Sequence, residues 1–259
     1  MRRRRCVVTG AGSGIGAAVA TSFREDGEEV LGVDLAGADI DADLAGQSGR
    51  EAAVAEIATR YDAVDVIVAC AGSARPVPET VSVNFFGVVR LLEGLLPRLW
   101  RAERPRVVVI TSVAAVHRAL RSVVEACLTG DEHAAVTEAR RAVDTGKAAG
   151  IYTSSKQALA RWVRRSAPTS QWAGNGVTLN AVGPGVVLTP MIEDQWRDPV
   201  GRKALTEQVP MPLTGEPVDV GQIVRAVRFL AAPDNEAITG QCLYVDAGAD
   251  ATLRTDSCW

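Results

Sequence analysis

The stretch VVTGAGSGIGAAVA, Val7 to Ala20, joins an apolar run to a helical pattern through a glycine-rich turn. Glycine permits the tight turn, the close approach of a pyrophosphate, and close packing of the helix on the strand. A helix that begins at such a turn offers free N–H groups and a partial positive charge to phosphates. The stretch therefore predicts a strand, a phosphate-binding turn and a helix, although the motif alone also allows a purely structural turn.

Strand-like and helix-like segments alternate along the remainder of the chain. Short runs rich in Val and Ile predict buried strands, and the segments between them have helical periodicity. This alternation predicts one α/β domain over residues 1–259, a doubly wound parallel sheet with helices on both faces. The predicted strands are CVVTG, EEVLGVD, VDVIVAC, RVVVITS, GVTLNAV and QCLYVDA, and the predicted helices are 14–26, 49–60, 80–101, 152–165 and 219–231.

Two segments interrupt the alternation. Residues 117–150 contain two helical patterns that divide at Gly130, and Asp131 is a suitable N-cap for the second helix. Residues 190–216 scatter apolar side chains among charges and prolines, which is typical of a mobile flap and not of a sheet element. We expect a helical insertion at about 117–150 and a substrate flap at about 190–216.

Composition limits the classes of partner. The chain is 47% hydrophobic and 23% charged, as globular proteins are, and its net charge of −3 gives no general attraction to nucleic acid or to an anionic membrane. The basic run Arg2–Arg5 leads into an apolar strand pattern, so we interpret it as a solvated chain end, with a tether to nucleic acid or membrane as the alternative. No apolar run approaches membrane-spanning length.

The five cysteines are scattered, and no two of them form a C-x-x-C pair. Because no secretory leader pattern is present either, we expect reduced thiols and a cytoplasmic protein. The two histidines, His117 and His133, have no acidic cluster around them in the sequence. We therefore expect no metal site.

Asp34 ends the second predicted strand, about twenty residues beyond the glycine turn, where a carboxylate accepts hydrogen bonds from a ribose diol. A 2′-phosphate beside this carboxylate would meet a like charge, since Ser13 in the turn and Leu35 and Ala36 after the aspartate offer no cation. The sequence therefore predicts NAD(H) in preference to NADP(H). The alternative role for Asp34 is that of a turn former at a strand end.

Tyr152 and Lys156 lie four residues apart in the segment IYTSSKQALA, so they share one face of a helix. A phenol titrates at about pH 10, which is too high for proton transfer near neutrality, and a neighbouring ammonium lowers that pKa. The pair therefore predicts a general acid/base for hydride chemistry, although such a pair in isolation is equally typical of an exposed helix surface.

Several short motifs follow one another in an order that resembles the short-chain dehydrogenase/reductase family: TGAGSGIG, Asp34, ADL, CAG, VNFFG, VITS, YTSSK, LNAVGPG, VVLTP and ITGQCLYVDAG. The resemblance covers nearly the whole chain and implies a Rossmann-type fold. It implies that Tyr152 is the general acid/base, that Ser112 polarises the same substrate oxygen, and that Lys156 holds the nicotinamide ribose and tunes Tyr152. Asn84 would bind a water that links Lys156 to solvent.

The resemblance also implies where NAD(H) binds. Asp43 matches a contact to adenine, and residues from Pro184 to Thr189 match the segment that holds the nicotinamide carboxamide and the diphosphate. The cofactor-binding residues implied in this way are Gly10, Ser13, Gly14, Ile15, Gly16, Asp34, Leu35, Asp43, Leu44, Ala71, Gly72, Tyr152, Lys156, Pro184, Gly185, Val187 and Thr189.

The chain departs from the family pattern in places. Ala69-Cys70-Ala71-Gly72 stands where Asn-Asn-Ala-Gly is usual, so bracing by asparagine side chains is lost. Ser112 and Tyr152 are 40 residues apart, against about a dozen in most members. This gap resembles that of the bacterial 3α-hydroxysteroid dehydrogenase/carbonyl reductase subgroup. The insertion either builds part of the substrate mouth or decorates the surface.

These observations predict an NAD(H)-dependent oxidoreductase that interconverts a secondary alcohol and a ketone, with an apolar cyclic substrate of hydroxysteroid or terpenoid type. Alternatives are a biosynthetic ketoreductase or polyol dehydrogenase with the same site, and a non-catalytic NAD sensor or partner-binding protein. We expect a homo-oligomer. The inserted helices would hinder the family's pairing through the Tyr152 helix, so a dimer through residues 219–245 is preferred over a tetramer.

Overall fold

The fold is built on one parallel sheet. In the computed structural model, which describes residues 3–257, seven strands lie in the order β3-β2-β1-β4-β5-β6-β7, and every neighbouring pair is parallel. Arg2 of the basic run and Cys258 lie outside the described residues. The strands are β1 (Arg5–Thr9), β2 (Glu29–Asp34), β3 (Ile40–Asp41), β4 (Val66–Ala69), β5 (Arg106–Ile110), β6 (Thr178–Pro184) and β7 (Cys242–Val245).

Helices cover both faces of the sheet. Along β1, Val7 belongs to one core cluster while Cys6 and Val8 belong to the other, because successive side chains point to opposite faces. The predicted doubly wound sheet is therefore confirmed. The helices are α1 (Gly14–Glu25), α2 (Gln47–Arg60), α3 (Glu79–Val81), α4 (Val88–Leu99), α5 (Arg121–Thr129), α6 (Glu132–Asp144), α7 (Gly150–Ser166), α8 (Glu193–Arg197), α9 (Pro199–Gln208), α10 (Val220–Ala231) and α11 (Ala249–Arg254).

The strand order reverses between β1 and β4, which are neighbours in the sheet. In open α/β sheets, ligands bind outside the carboxyl ends of the strands at such a switch point, because the helices on the two sides diverge there. The glycine turn after β1 and the segment after β4 both end at this edge. The topology thus places the motifs singled out in the sequence around one crevice.

The insertion forms two helices as predicted. Gly130 ends α5 with a left-handed backbone (φ 77°), and Asp131 caps α6 by accepting the Ala134 N–H at 2.9 Å. Both helices contact α7 and bury small apolar side chains in the main core cluster. The insertion therefore contributes to the core of the fold and does not only decorate its surface.

Residues Glu79–Leu99 form a continuous helix in which Ser82–Gly87 are π-helical. By length and composition this helix could cross a membrane, so the expectation that no apolar segment approaches spanning length is wrong. In the structure, 67% of its most apolar window is buried inside the protein. Core helices of folded domains meet the same criterion, and α4 within this helix is amphipathic, with its leucines buried and Arg90 and Glu93 exposed.

The segment 190–216 contains regular structure that the sequence did not predict. It forms the short helices α8 and α9, and Asp198 caps α9 by accepting the Gly201 N–H at 2.8 Å. Proline follows that cap at the first helical position, a favoured site because its missing N–H would have no intrahelical partner. The two-residue strand β3 and the terminal helix α11 were also not predicted, since both are too short to show a periodic pattern.

Candidate active site

A cleft of about 1170 Å³ runs along the carboxyl ends of the strands. At one end lie the glycine turn, Asp34 and the segment Asp43–Ala45, and we call this the glycine-turn end. At the other lie Ser112, Tyr152 and Lys156, and we call this the tyrosine end. All of the predicted cofactor-binding residues line the cleft, from Gly10 through to Thr189. Of the four predicted catalytic residues, only Asn84 is not in its wall.

The glycine positions of the turn cannot carry a side chain without distortion of the backbone. Gly10 and Gly14 have positive φ angles of 69° and 53°, which residues with a Cβ rarely adopt. A Cβ on Gly16 would overlap the carbonyl oxygen of Gly10, so α1 can approach β1 this closely only with glycine there. The Ser13 side chain does not cap α1, and the first N–H groups of the helix face the cleft.

Asp34 lies at the rim of the glycine-turn end. Its Oδ2 accepts the Gly12 N–H at 2.8 Å, and its Oδ1 accepts the Leu35 N–H at 2.7 Å. A carboxylate has about four acceptor sites, so these two bonds fix the side chain and leave capacity for two hydroxyl donors. Gly12 thereby couples the turn to the carboxylate.

The Ala69–Gly72 segment is held by Thr9, a residue that was not predicted from the sequence to belong to the site. The Thr9 hydroxyl oxygen accepts the N–H groups of Cys70 at 3.1 Å and Ala71 at 3.0 Å. This bond pair holds the segment that lacks the asparagines usual in the family. Burial raises the pKa of the Cys70 thiol to about 12, so it behaves as a neutral apolar group. The signal in the sequence was a hydroxyl residue at the end of β1, directly before the glycine turn.

Ser112 and Tyr152 form a hydroxyl pair at the tyrosine end. Ser112 follows β5 and Tyr152 lies in the first turn of α7, and the Ser112 hydroxyl is close enough to Tyr152 to lower its pKa. The Ser112 Oγ accepts the Ala114 N–H at 3.1 Å. That bond uses one lone pair of Oγ and leaves the hydroxyl proton for another acceptor, such as an oxygen bound beside Tyr152.

Burial raises the pKa of Tyr152 above its ordinary value of 10.0, and the neighbouring Ser112 hydroxyl lowers it by less. The lowering of this pKa by Lys156 stays a prediction. Lys156 Nζ donates to the Ile110 carbonyl at 2.9 Å and lies 5.9 Å from the centroid of the Tyr152 ring. Burial also lowers the pKa of Lys156 to about 8, so the cation is itself weakened.

Asn84 lies behind the wall of the cleft, fully buried in the π-helical segment. Its Nδ2 donates to the Ser73 carbonyl and to the Ser155 Oγ, both at 2.9 Å, and its Oδ1 accepts the Ser73 N–H at 2.7 Å. Both amide hydrogens are thus used. The side chain braces the segment after Gly72 against α7, and the predicted contact to a water stays a prediction.

The far wall of the tyrosine end is mostly apolar. Val113, Val186, Val209 and Met211 form a buried cluster, and the segment 190–216 adds further apolar side chains to the lining. From the insertion, only its two ends reach the cleft, at His117, Arg118, Ala149 and Gly150. Helices α5 and α6 do not line it, so the expectation that the insertion builds the mouth holds only for those ends.

Within residues 3–257, no group of three or more His, Cys, Asp or Glu side chains is arranged to hold a metal ion. The polar groups that converge on the cleft are instead backbone N–H groups at the glycine-turn end and two hydroxyls with one ammonium at the tyrosine end. Such a set can bind a phosphate-bearing group and can donate or accept one proton at a bound oxygen.

The chain matches the family model described as short chain dehydrogenase over residues 4–124, and that described as Enoyl-(Acyl carrier protein) reductase over residues 81–250. It is 32% identical to the 3-alpha-hydroxysteroid dehydrogenase/carbonyl reductase of Comamonas testosteroni, over 96% of this chain and 97% of that one. It is 31% identical to the galactitol 2-dehydrogenase (L-tagatose-forming) of Cereibacter sphaeroides, over 93% of this chain and 92% of that one.

Among solved structures, the fold is similar to that of the 3-alpha-hydroxysteroid dehydrogenase from Pseudomonas sp. B-0831 complexed with NADH, with a TM-score of 0.89 and 37% sequence identity. The similarity covers 97% of this chain and 99% of that one. The predicted resemblance to the hydroxysteroid dehydrogenase/carbonyl reductase subgroup is therefore confirmed. One family model spans more than half of the chain and the relatives span nearly all of it, so the chain is an oxidoreductase that belongs to the short-chain dehydrogenase/reductase family.

Proposed function

We propose that the protein interconverts a secondary alcohol and a ketone with NAD(H), with Tyr152 as the general acid/base. The observation that carries this proposal is that Ser112, Tyr152 and Lys156 line the same cleft as the glycine turn. A proton donor and an oxygen-polarising hydroxyl beside a dinucleotide site are what carbonyl reduction requires.

The residues present fit a dinucleotide, because Ser13 to Gly16 line the cleft at the start of α1, where the first N–H groups of a helix have no intrahelical partner, and the glycines exclude side chains where a pyrophosphate would approach. When bound, the nicotinamide supplies or accepts the hydride. Tyr152 gives its proton to the substrate oxygen in reduction and takes the alcohol proton in oxidation. Ser112 donates a hydrogen bond to the same oxygen and so stabilises the charge that develops on it.

Lys156 holds the cofactor ribose and, once the cleft is filled, favours the phenolate of Tyr152 electrostatically. In the structure its ammonium is held by the Ile110 carbonyl and has a pKa of about 8. A hydroxyl donor and acceptor near Nζ would add a hydrogen bond to the charged form and raise that pKa again. Asn84 positions Ser73 and α7 around this lysine through the hydrogen bonds of its amide.

The preference for NAD(H) rests on Asp34. Its carboxylate is fixed at the rim by Gly12 and Leu35, with Leu35 itself 69% exposed, so a 2′-phosphate there would meet a negative charge and no cation of the turn. The related Pseudomonas structure, which contains NADH, supports the same choice. The remaining predicted contacts, Asp43, Leu44, Ala71, Gly72 and Pro184 to Thr189, are part of this proposal.

For the substrate we propose an apolar cyclic alcohol or ketone of hydroxysteroid or terpenoid type. The part of the cleft wall formed by Val113, Val186 and Val209 supports an apolar ring system next to Tyr152. The hydroxysteroid dehydrogenase/carbonyl reductase relative points the same way. A polyol substrate is the second candidate, since the galactitol dehydrogenase is almost as similar in sequence.

We also propose a homodimer formed through α10 and β7. Strand β7 is at the edge of the sheet, and Leu243 on it and Phe229 on α10 are 39% and 57% exposed. Helix α5 covers part of α7, which hinders pairing through that helix. A cytoplasmic location belongs to the same proposal, and free thiols at Cys6, Cys70, Cys127 and Cys242 support a reducing compartment.

The test is a titration of the protein with NADH and with NADPH, followed by assays on steroid, terpenoid and polyol substrates. We expect tighter binding of NADH, and turnover of cyclic apolar ketones above that of polyols. Tighter binding of NADPH would overturn the use of Asp34, and preferred turnover of polyols would overturn the substrate class. Dinucleotide binding without turnover of any of these substrates would favour the alternative of a non-catalytic sensor.

A further inference from the structure

Arg50 of α2 is a buried cation that the proposed mechanism does not use. Its side chain is only 6% exposed, and its guanidinium has two sets of partners. Nε donates to the Leu44 carbonyl at 2.9 Å and Nη2 to the Ala45 carbonyl at 2.6 Å. On the opposite side, Nη1 and Nη2 donate to the two carboxylate oxygens of Glu132 at 2.8 and 2.6 Å.

The two carbonyls belong to the Asp43–Ala45 segment, which forms the wall of the glycine-turn end. This segment rests on glycines: a Cβ on Gly49 would overlap the Asp43 carbonyl oxygen, and one on Gly87 would lie 2.9 Å from the Leu44 carbonyl oxygen. The segment 43–45 is therefore held between these closely packed glycines and the Arg50 guanidinium. A planar fork that donates to two successive carbonyls fixes their orientation, which a point charge such as lysine could not do.

Glu132 belongs to the insertion, in the first turn of α6. Its carboxylate completes the charge balance of Arg50, and a buried guanidinium without a partner would be costly. The insertion that separates Ser112 from Tyr152 in the sequence is thus connected through a partly buried ion pair to the opposite end of the cleft.

We propose that Arg50 and Glu132 are positioning residues for the adenine-binding wall, so that the insertion sets the affinity for the adenosine half of the cofactor. This inference depends on the proposed function, because it takes Asp43–Ala45 to be the adenine wall. Neither residue touches the cofactor. Both act through the conformation of the segment 43–45.

Arg90 provides a matched control, because it also contacts the insertion, close to Glu132. Arg90 of α4 donates to the Gly130 carbonyl at 3.0 Å, only two residues before Glu132, and so also ties the insertion to the body of the protein. Arg90 does not line the cleft, and its other hydrogen bond goes to Glu93 on its own helix. Arg90→Met therefore loosens the insertion without removing the link to residues 43–45.

The experiment compares the full-length protein with its Glu132→Gln and Arg90→Met variants. The dissociation constants of NADH, ADP-ribose and nicotinamide mononucleotide are measured, together with thermal stability and kcat at saturating cofactor. Glu132→Gln is expected to weaken ADP-ribose and NADH by about three- to tenfold, the size typical of coupling through a neighbouring residue. It should leave nicotinamide mononucleotide affinity and kcat unchanged, and Arg90→Met should leave all three affinities unchanged.

Equal ADP-ribose affinity in Glu132→Gln and the unmodified protein would overturn the proposal, and so would an equal loss in Arg90→Met, which would indicate general loosening of the insertion. Arg50→Lys, which keeps the charge but not the fork, provides a second variant and is expected to show the same selective loss of ADP-ribose affinity. An unmodified protein that binds no NADH or NADPH would instead contradict the proposed function. The two failures are therefore distinguishable.

Discussion

The two ends of the cleft differ in whether backbone or side chains form most of their walls. The glycine-turn end is formed mainly by backbone within the first 45 residues, and its shape depends on side chains that are absent at Gly10, Gly14 and Gly16. The tyrosine end is formed by side chains from β5 and α7, with Asn84 bracing them from the helix between β4 and β5. Adding a side-chain atom should therefore disrupt the glycine-turn end, whereas removing a polar side-chain atom should disrupt the tyrosine end.

The largest expected effect is the removal of one oxygen at the tyrosine end. Tyr152→Phe should lower turnover by about 10²- to 10⁴-fold, the usual contribution of general acid/base catalysis. Its dissociation constant for NADH should stay within about twofold, because the turn contacts are untouched. Steady-state kinetics and a fluorescence titration measure the two quantities.

Tyr61→Phe is the matched control, since Tyr61 is also buried but lies outside the cleft. It should leave turnover unchanged. A normal turnover rate in the Tyr152→Phe variant would show that Tyr152 is not the general acid/base.

The pH dependence of stability tests the electrostatics of the same end. Burial lowers the pKa of Lys156 from 10.5 to about 8, so between these values the unfolded chain binds more protons at this group and the free energy of unfolding rises with pH. Relative to Lys156→Met, the unliganded protein should gain on the order of 2–3 kcal/mol across this window, as about 1.4 kcal/mol per pKa unit implies.

Chemical denaturation at several pH values, from about 7 to about 10, measures this difference, in which the raised pKa values of Cys6 and Cys127 largely cancel. The contribution of Cys70 does not fully cancel, because its thiol interacts with the Lys156 ammonium. The raised pKa of Tyr152 acts with opposite sign only above 10.0, beyond the measured range. Lys147→Met, at an exposed lysine, should give a flat difference. If the stability difference between the unmodified protein and Lys156→Met also did not change with pH, the ammonium would be better solvated than its burial implies.

Adding one methyl group tests the glycine-turn end. Gly16→Ala places a Cβ on the Gly10 carbonyl oxygen, so the helix must move away from the strand. We expect a loss of about 1–3 kcal/mol in stability, as for other overpacked sites, together with weaker NADH binding. Gly174→Ala is the control, because its Cβ would meet only ordinary contacts at 3.4 Å. Equal stability of the two variants would mean that the turn tolerates side chains.

Asp34 is the side chain on which the cofactor preference of the glycine-turn end is proposed to depend, and it has the smallest expected effect. Asp34→Asn removes the charge and keeps the shape, so the preference for NADH over NADPH should shrink by about tenfold, as expected for one partly solvated like-charge contact. Asp41→Asn provides the control, since Asp41 pairs with Asp34 in the sheet but does not line the cleft. An unchanged preference in Asp34→Asn would sharpen the contrast by making this end depend on backbone alone.

The sequence predicted the parts of the molecule that are determined locally. The glycine turn, the helix pair divided at Gly130, and the strands with continuous Val and Ile follow from neighbouring residues, and the structure has them where expected. The helices of 190–216 were missed because they are only 5 and 10 residues long and carry few apolar residues in phase.

Long-range contacts account for the remaining differences. The bond from Thr9 to Cys70 and Ala71, and the clamp of Arg50 on Leu44, join segments whose proximity only the sheet order reveals. The burial of Tyr152 and the bond from Lys156 to the Ile110 carbonyl are of the same kind, because spacing in the sequence gives the neighbour of the phenol but neither its burial nor the other partners of the ammonium.

The π-helical segment Ser82–Gly87 has a consequence for changes in chain length. A π-turn accommodates an extra residue within a helix while the α-helical turns on either side keep their phase, so a deletion of one residue there would convert the segment to an ordinary α-helix. The buried leucines from Leu91 to Leu99 would then still face the core. A deletion of one residue within α4 itself would instead rotate everything after it by about 100°, because each residue advances an α-helix by that angle.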